Sequence, residues 1–209
     1  AFVNASSRNK TFGVSTCVSE RTGVDANTDV GPGAAPVGRL YDGGSGNPCA
    51  SQPIVPLSSD RTGLKTYVGQ LEAAGSTAGQ IGLAWGWYMI SPNWSSLWTA
   101  PSTPAAYTAQ HTLKVVVLMT DGAFNSPYCK GVIAKNATSG SGSDSDHINC
   151  NATNGDPFAQ AAQLCTNIKA KGIIVYTVGF NVGSDTNVKN LMRSCATAPE
   201  YVYMPTSGD

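Results

Sequence analysis

An aspartate, Asp121, follows the run KVVVLMT and precedes Gly122, and a threonine, Thr77, stands in the segment GSTAG. A carboxylate and a hydroxyl are oxygen donors of the kind a hard divalent cation takes. Thr77 also sits where a helix start would offer free backbone N–H groups. A plainer assignment is available for each: Thr77 caps the helix behind it, and Asp121 closes an Asx turn with Gly122. Spacing alone leaves both assignments open.

Other residues with chemical capacity are scattered. The six cysteines are Cys17, Cys49, Cys129, Cys150, Cys165 and Cys195. Their even number in a polar, loop-rich chain points to disulfides and an oxidising compartment, without choosing the pairing. No CxxC occurs, which speaks against zinc knuckles and thioredoxin-type exchange. A zinc site from Cys129, His147 and Cys150 is possible by residue type but lacks a fourth ligand. His111 and His147 read as loop residues rather than bases. Asp25, Asn27 and Asp29 alternate as in a calcium loop, but Val30 stands where such a loop needs glycine. Trp85 falls at core spacing, whereas Trp94 and Trp98 lie in a loop and offer a surface for a partner. Sequons begin at Asn4, Asn93, Asn136 and Asn151, as many as chance allows in this composition.

The elements that must position these residues follow from periodicity. Residues 5–57 show little of it and read as a long, turn-rich excursion. Beyond Asp60, Leu64, Tyr67, Val68 and Leu71 predict a helix ending at Gly75. A second helix, with Ile81, Trp85 and Tyr88 on one face, runs to Ser91-Pro92. Residues 114–119 predict a strand buried on both faces, as in a parallel sheet. An insertion over 123–155 follows. Asp156-Pro157 predicts a helix start, with Phe158, Ala161, Ala162, Cys165 and Ile168 as its stripe and Gly172 at its end. GIIVYTVGF is a second strand. Ser184 or Asp185 caps a helix striped by Val188, Leu191, Met192 and Cys195, and YVYM is the last strand. Alternating strands and helices specify an α/β sheet with parallel crossovers, whose sites lie beyond the carboxyl ends of the strands. Asp121 falls there.

Composition narrows the function classes. The chain has 209 residues, which suits one domain, and 12% are charged against about a quarter in a typical domain. Lys+Arg and Asp+Glu both number 13, so no basic excess supports nucleic-acid binding. No run approaches the ~18 apolar residues of a membrane span. No phosphate-cradling P-loop occurs. GSTAG resembles a hydrolase elbow with threonine for serine, but that elbow needs a strand before it and a helix is predicted there. Both ends of the sequence read as cut points.

The runs AAGSTAGQIGLAWGWYMISP, KVVVLMTDGAFNSPYCKG and LCTNIKAKGIIVYTVGF, with the later SCA, resemble TadG-like pilus-assembly proteins of the tight-adherence (Tad/Flp) system. These carry a von Willebrand A domain. The resemblance spans roughly residues 17–204. It implies a single Rossmann-like domain over 1–209, with helices on both faces of a mostly parallel sheet and long disulfide-stapled insertions. It further implies the pairs Cys17–Cys49, Cys129–Cys150 and Cys165–Cys195. The family's adhesion site holds magnesium through an Asp-x-Ser-x-Ser loop, a threonine and an aspartate. Thr77 and Asp121 match the last two, and no Asp-x-Ser-x-Ser occurs in this sequence. The chain thus reads as lacking the first strand and helix, that loop, and the last helix. Mg2+ (or Mn2+ or Ca2+) is expected only if the loop is supplied. The implied role is a non-catalytic binding domain in the bacterial envelope, periplasmic or outside. Its partners would be a protein or surface ligand, pilus components among them, and any membrane anchor would lie outside the sequence. The alternatives are a structural pilus or envelope subunit with a vestigial site, and a secreted α/β hydrolase.

Overall fold

A computed structural model describes residues 2–3, 7–11, 13–42, 49–129, 132–133 and 152–207. Cys150 and His147 lie outside them, and with these the Cys129–Cys150 pairing and the zinc alternative. In chain order the elements are β1 (Phe2–Val3), β2 (Asn9–Lys10), β3 (Gly13–Val18), β4 (Arg39–Asp42), α1 (Arg61–Gly69), α2 (Gly79–Ile90), β5 (Val115–Thr120), β6 (Tyr128–Cys129), β7 (Val132–Ile133), α3 (Pro157–Ala170), β8 (Ile174–Gly179), α4 (Thr186–Cys195) and β9 (Val202–Tyr203). No helix among the described residues is long and apolar enough to cross a membrane.

The centre is a parallel sheet in the order β5-β8-β9. All six residues of β5 pair with β8, from Val115 opposite Ile174 to Thr120 opposite Gly179. β9 adds on the far side of β8, with Thr177 opposite Val202. The β-branched runs at 115–117 and 173–175 favour extended backbone, and α3 and α4 make the crossovers. Carboxylates start both helices. Asp156 accepts from the N–H groups of Phe158 and Ala159, and Asp185 from those of Asn187 and Val188. Gly172 takes the left-handed backbone, φ +75, just beyond α3.

α2, α3 and α4 pack against one face of this sheet. Val116, Leu118 and Val175 are buried there with Leu83, Trp87, Ala161, Leu164, Ile168, Val188, Leu191 and Met192. Cys165 and Cys195 join α3 to α4 inside this core, Cα atoms 5.0 Å apart. β5 does not have both faces covered. Its odd-numbered side chains point away from the helices, leaving Val117 60% and Met119 66% exposed. A continuous apolar run reads as doubly buried, yet the described helices supply cover on one side only.

Two helices differ from their periodic reading. α1 ends at Gly69, with Gln70 bonding back to Tyr67 and Val68, so Leu71 and Gly75 fall outside it. It buries none of its residues. α2 buries Gln80, Leu83, Trp87 and Tyr88, rather than a stripe of Ile81, Trp85 and Tyr88. It is apolar nearly all round, so spacing could not choose the inward side.

The described parts of the excursion over 5–57 pack onto the core. β3 and β4 pair antiparallel, Val14 opposite Tyr41 and Val18 opposite Arg39. Cys17 bonds to Cys49 with Cα atoms 5.8 Å apart. The following residues Ser19, Glu20, Arg21 and Asp29 are all buried. Polar side chains make this attachment, which is why hydrophobic periodicity does not reveal it.

Candidate functional site

Two loops meet beyond the carboxyl end of β5. One is the approach to α2, carrying Thr77; the other follows β5 and carries Asp121. Four contacts join them. The N–H of Thr77 donates to Asn125 Oδ1 at 2.9 Å, and the N–H of Asn125 donates to the Thr77 carbonyl at 2.9 Å. Gly79 lies against the Phe124 ring, so that a Cβ at position 79 would fall 2.1 Å from Phe124 Cζ. Gln80 Nε2 donates to the Ser126 carbonyl at 3.1 Å. The last glycine of GSTAG is therefore required by a phenylalanine three residues past Asp121.

Neither plain assignment of the two site residues holds. The N-cap of α2 is Ala78, and no side chain caps this helix. The turn at 120–122 is closed by Thr120, whose hydroxyl donates to the Gly122 carbonyl at 2.9 Å and accepts from its N–H at 3.3 Å. Thr120 is placed to do so because its side chain points inward at the strand end. Asp121, one residue on, is exposed. Among the described residues, neither the Thr77 hydroxyl nor the Asp121 carboxylate takes part in a hydrogen bond.

A small hard cation takes about six oxygens, and Thr77 and Asp121 supply only two side-chain groups, one hydroxyl and one carboxylate. Among the described residues no three His, Cys, Asp or Glu side chains cluster as a metal site would need. The residues present thus fall short of a complete cation site. Nor do they form a hydrolytic one. The segment before Thr77 follows helix α1 and contains no strand. His111 is exposed and precedes β5, whereas Thr77 is tied to the loop beyond its other end. Six residues of strand span about 20 Å.

The alternating Asp25, Asn27 and Asp29 do different work from a calcium loop. Asp29 is buried, and its Oδ2 accepts from Ser91 Oγ at 2.6 Å, Asn93 Nδ2 at 2.9 Å and Tyr107 Oη at 2.5 Å. Its carbonyl accepts from Trp94 Nε1 at 3.1 Å. Tyr107 Oη also accepts from Trp87 Nε1 at 2.9 Å. Burial, and then the hydrogen bond to Asp29, push the Tyr107 phenol well above its ordinary range. Gly31 completes the fit, since a Cβ there would fall 2.6 Å from the Asn93 carbonyl oxygen.

Trp94 is not a partner surface. It is fully buried, stacked on Tyr88 with ring centroids 3.9 Å apart, and the Arg21 guanidinium lies 4.7 Å from its ring. Its loop position hid this, because Pro92–Leu97 forms a 3-10 turn folded back over residues 21–31. Trp98 is half-buried with its indole N–H enclosed. A further feature that no motif marks is an apolar hollow of ≈ 740 Å³ between α2 and the Cys17–Cys49 bridge, lined by Ile54, Ile81, Trp85 and Met89 among others.

No protein-family model matches this chain. No curated protein matches it either. Among solved structures, the pilus adhesin SpaC from Lactobacillus rhamnosus GG is similar at 16% identity and a TM-score of 0.42, over 71% of this chain and 19% of that one. Its open conformation gives 18% identity, a TM-score of 0.42 and coverage of 72% and 19%. The vWF domain of the type V pili tip protein Mfa5 from Porphyromonas gingivalis is similar at 12% identity and a TM-score of 0.46, over 80% of this chain and 70% of that one. The chain spans about a fifth of the length of SpaC.

Proposed function

We propose that this chain is a von Willebrand A-type binding domain of a bacterial surface-pilus system, acting outside the cytoplasm by adhesion and not by catalysis. The observation that carries the reading is the pair Thr77 and Asp121. Their loops are locked together beyond the sheet by the Thr77–Asn125 bonds, while the two side-chain oxygen groups are left without structural work. Ordered, idle oxygen donors at that end of a parallel sheet suit a ligand site. The runs that resemble TadG-like proteins support this class, and the disulfides Cys17–Cys49 and Cys165–Cys195 suit an oxidising compartment.

In this reading Mg2+, or Mn2+ or Ca2+ in its place, is held when an Asp-x-Ser-x-Ser loop is added from polypeptide outside residues 1–209. The bound cation would supply an electrophilic centre for a ligand carboxylate. Thr77 and Asp121 would be its ligands from this chain, and Asn125 would hold the Thr77 loop in register. The uncovered side of β5, with Val117 and Met119 exposed, is where added strand and helix would find apolar surface to bury. Pilus components or a surface ligand are the partners of this site.

The test is Mn2+ binding by the native chain at its full natural length, read by electron paramagnetic resonance. Saturable binding that is lost in Asp121→Ala, with unchanged circular dichroism, supports the adhesion site. Binding equal in wild type and Asp121→Ala, or none at all, would leave the second reading, a structural pilus or envelope subunit. That alternative is favoured by one observation, the shortage of oxygen ligands among the described residues.

A further inference from the structure

Gln80 opens α2 three residues after Thr77, and it is 1% exposed. Its amide nitrogen is fully used, donating to Glu20 Oε1 at 2.6 Å and to the Ser126 carbonyl at 3.1 Å. Its amide oxygen is buried without a hydrogen-bond partner. Arg21 is 3% exposed. Its Nη2 donates to the Val30 carbonyl, but its Nε and Nη1 are buried without a hydrogen-bond partner, the guanidinium lying over the Tyr88 and Trp94 rings. The Trp85 indole N–H is buried and unpartnered too. These three residues line one small cavity of ≈ 10 Å³, between the docked excursion and α2.

The coincidence has a physical meaning. An unsatisfied buried polar atom costs about 1–3 kcal/mol, so unpaired donors and an unpaired acceptor around one hollow call for a common partner. A cavity of about 10–15 Å³ holds one water, which needs two to four polar partners. Donors from Arg21 and Trp85 and an acceptor from Gln80 match a water that accepts twice and donates once. An anion does not match. Gln80 brings an unpaired oxygen acceptor to the lining, and Glu20, which also lines the cavity, is a second buried acceptor next to Arg21 in the chain.

We propose that a single ordered water is bound between Arg21, Gln80 and Trp85, as a built-in part of the joint between the 19–31 excursion and the start of α2. Through Gln80 it steadies the contact of α2 with Ser126 and so the loop that carries Asp121. Gln80 and Arg21 are positioning residues in this scheme and touch no ligand of the proposed adhesion site. The proposal does not depend on that site being functional.

The test reads the Trp85 indole N–H of the disulfide-bonded chain by rotating-frame NMR against water, together with a crystal structure of bromide-soaked protein. A direct cross-peak to long-lived water is expected, with density for one water and no anomalous signal. Gln80→Met, which removes the acceptor, and Ala84→Val, which narrows the cavity, should each abolish the cross-peak while the other three tryptophan indole signals stay in place. Absence of the cross-peak in wild type, a bromide peak in the cavity, or a cross-peak surviving in both folded variants would overturn the proposal. If both variants fail to fold, the wild-type measurements alone decide.

Discussion

Asp29 and Asp121 are the same side chain put to opposite uses. Asp29 is buried, and one of its oxygens accepts three hydrogen bonds. Every group around it is committed to holding residues 25–31 against α2 and the turn at 92–97. Asp121 is exposed, and the turn it sits in is closed by its neighbour Thr120 instead. The difference separates a carboxylate that builds the fold from one the fold merely presents. In sequence each follows a threonine and each offers a carboxylate to a cation. What separates them is partner count, which only three-dimensional placement supplies.

The comparison breaks most visibly at Asp29. Asp29→Ala strands the buried donor of Ser91 and the half-buried donor of Tyr107 and removes three hydrogen bonds, so a loss of about 3 kcal/mol or more is expected in urea unfolding. A loss below about 1 kcal/mol would mean that the buried knot is not a structural anchor. The two disulfides among the described residues sharpen the same contrast. Their loops are nearly equal, with separations of 32 and 30 residues, so loop entropy gives each about 3.7 kcal/mol. Cys165 and Cys195 are also packed in the core at 1% and 0% exposure. Replacing that pair by serine should cost more than replacing Cys17 and Cys49, because buried hydroxyls are added to the lost bridge. Equal midpoints for the two double variants would contradict the placement.

The sheet was legible because parallel strands and their crossover helices are written in apolar runs, caps and stripes, as at 114–119, Asp156 and Asp185. The excursion was not legible, because Glu20, Arg21 and Asp29 attach it through polar atoms that no hydrophobic pattern records. Trp94 misled for the related reason that a short 3-10 turn carries too few residues to show a buried side. Thr77 and Asp121 were picked out by type and position in the chain. The residues that hold them, Asn125 and Phe124, were missed, although one clue was present: Gly79, in a helix start where alanine would serve better, lies against the Phe124 ring.

Gly79→Ala therefore tests the lock between the two loops. The added methyl meets Phe124, itself 1% exposed and stacked on Phe158 with centroids 5.4 Å apart. Overpacking of this kind costs about 1–3 kcal/mol, and an unchanged thermal midpoint would show that Phe124 is free to move aside. Tyr107 gives a pH signature for the Asp29 side of the comparison. Its phenol titrates higher folded than unfolded, so the folded state holds this proton more tightly. The contribution is fully present below the unfolded value of about 10 and is lost as pH rises from there toward the folded value. Wild type should lose stability over that alkaline window more steeply than Tyr107→Phe; parallel curves would remove the Asp29–Tyr107 bond from the account.

The smallest effect on stability belongs to Asp121. Asp121→Ala removes an exposed side chain that makes no hydrogen bond among the described residues, so unfolding should shift by no more than about 0.5 kcal/mol. That near-silence is what makes the substitution informative. An exposed residue whose carboxylate makes no hydrogen bond among the described residues, held at the end of the sheet beside a loop locked by Asn125 and Phe124, is expected to leave its surroundings undisturbed when it is removed. Any Mn2+ or ligand binding lost with it is then a property of the carboxylate itself. A fall of more than about 1 kcal/mol would assign Asp121 a structural role after all, and the contrast with Asp29 would collapse to a difference of degree.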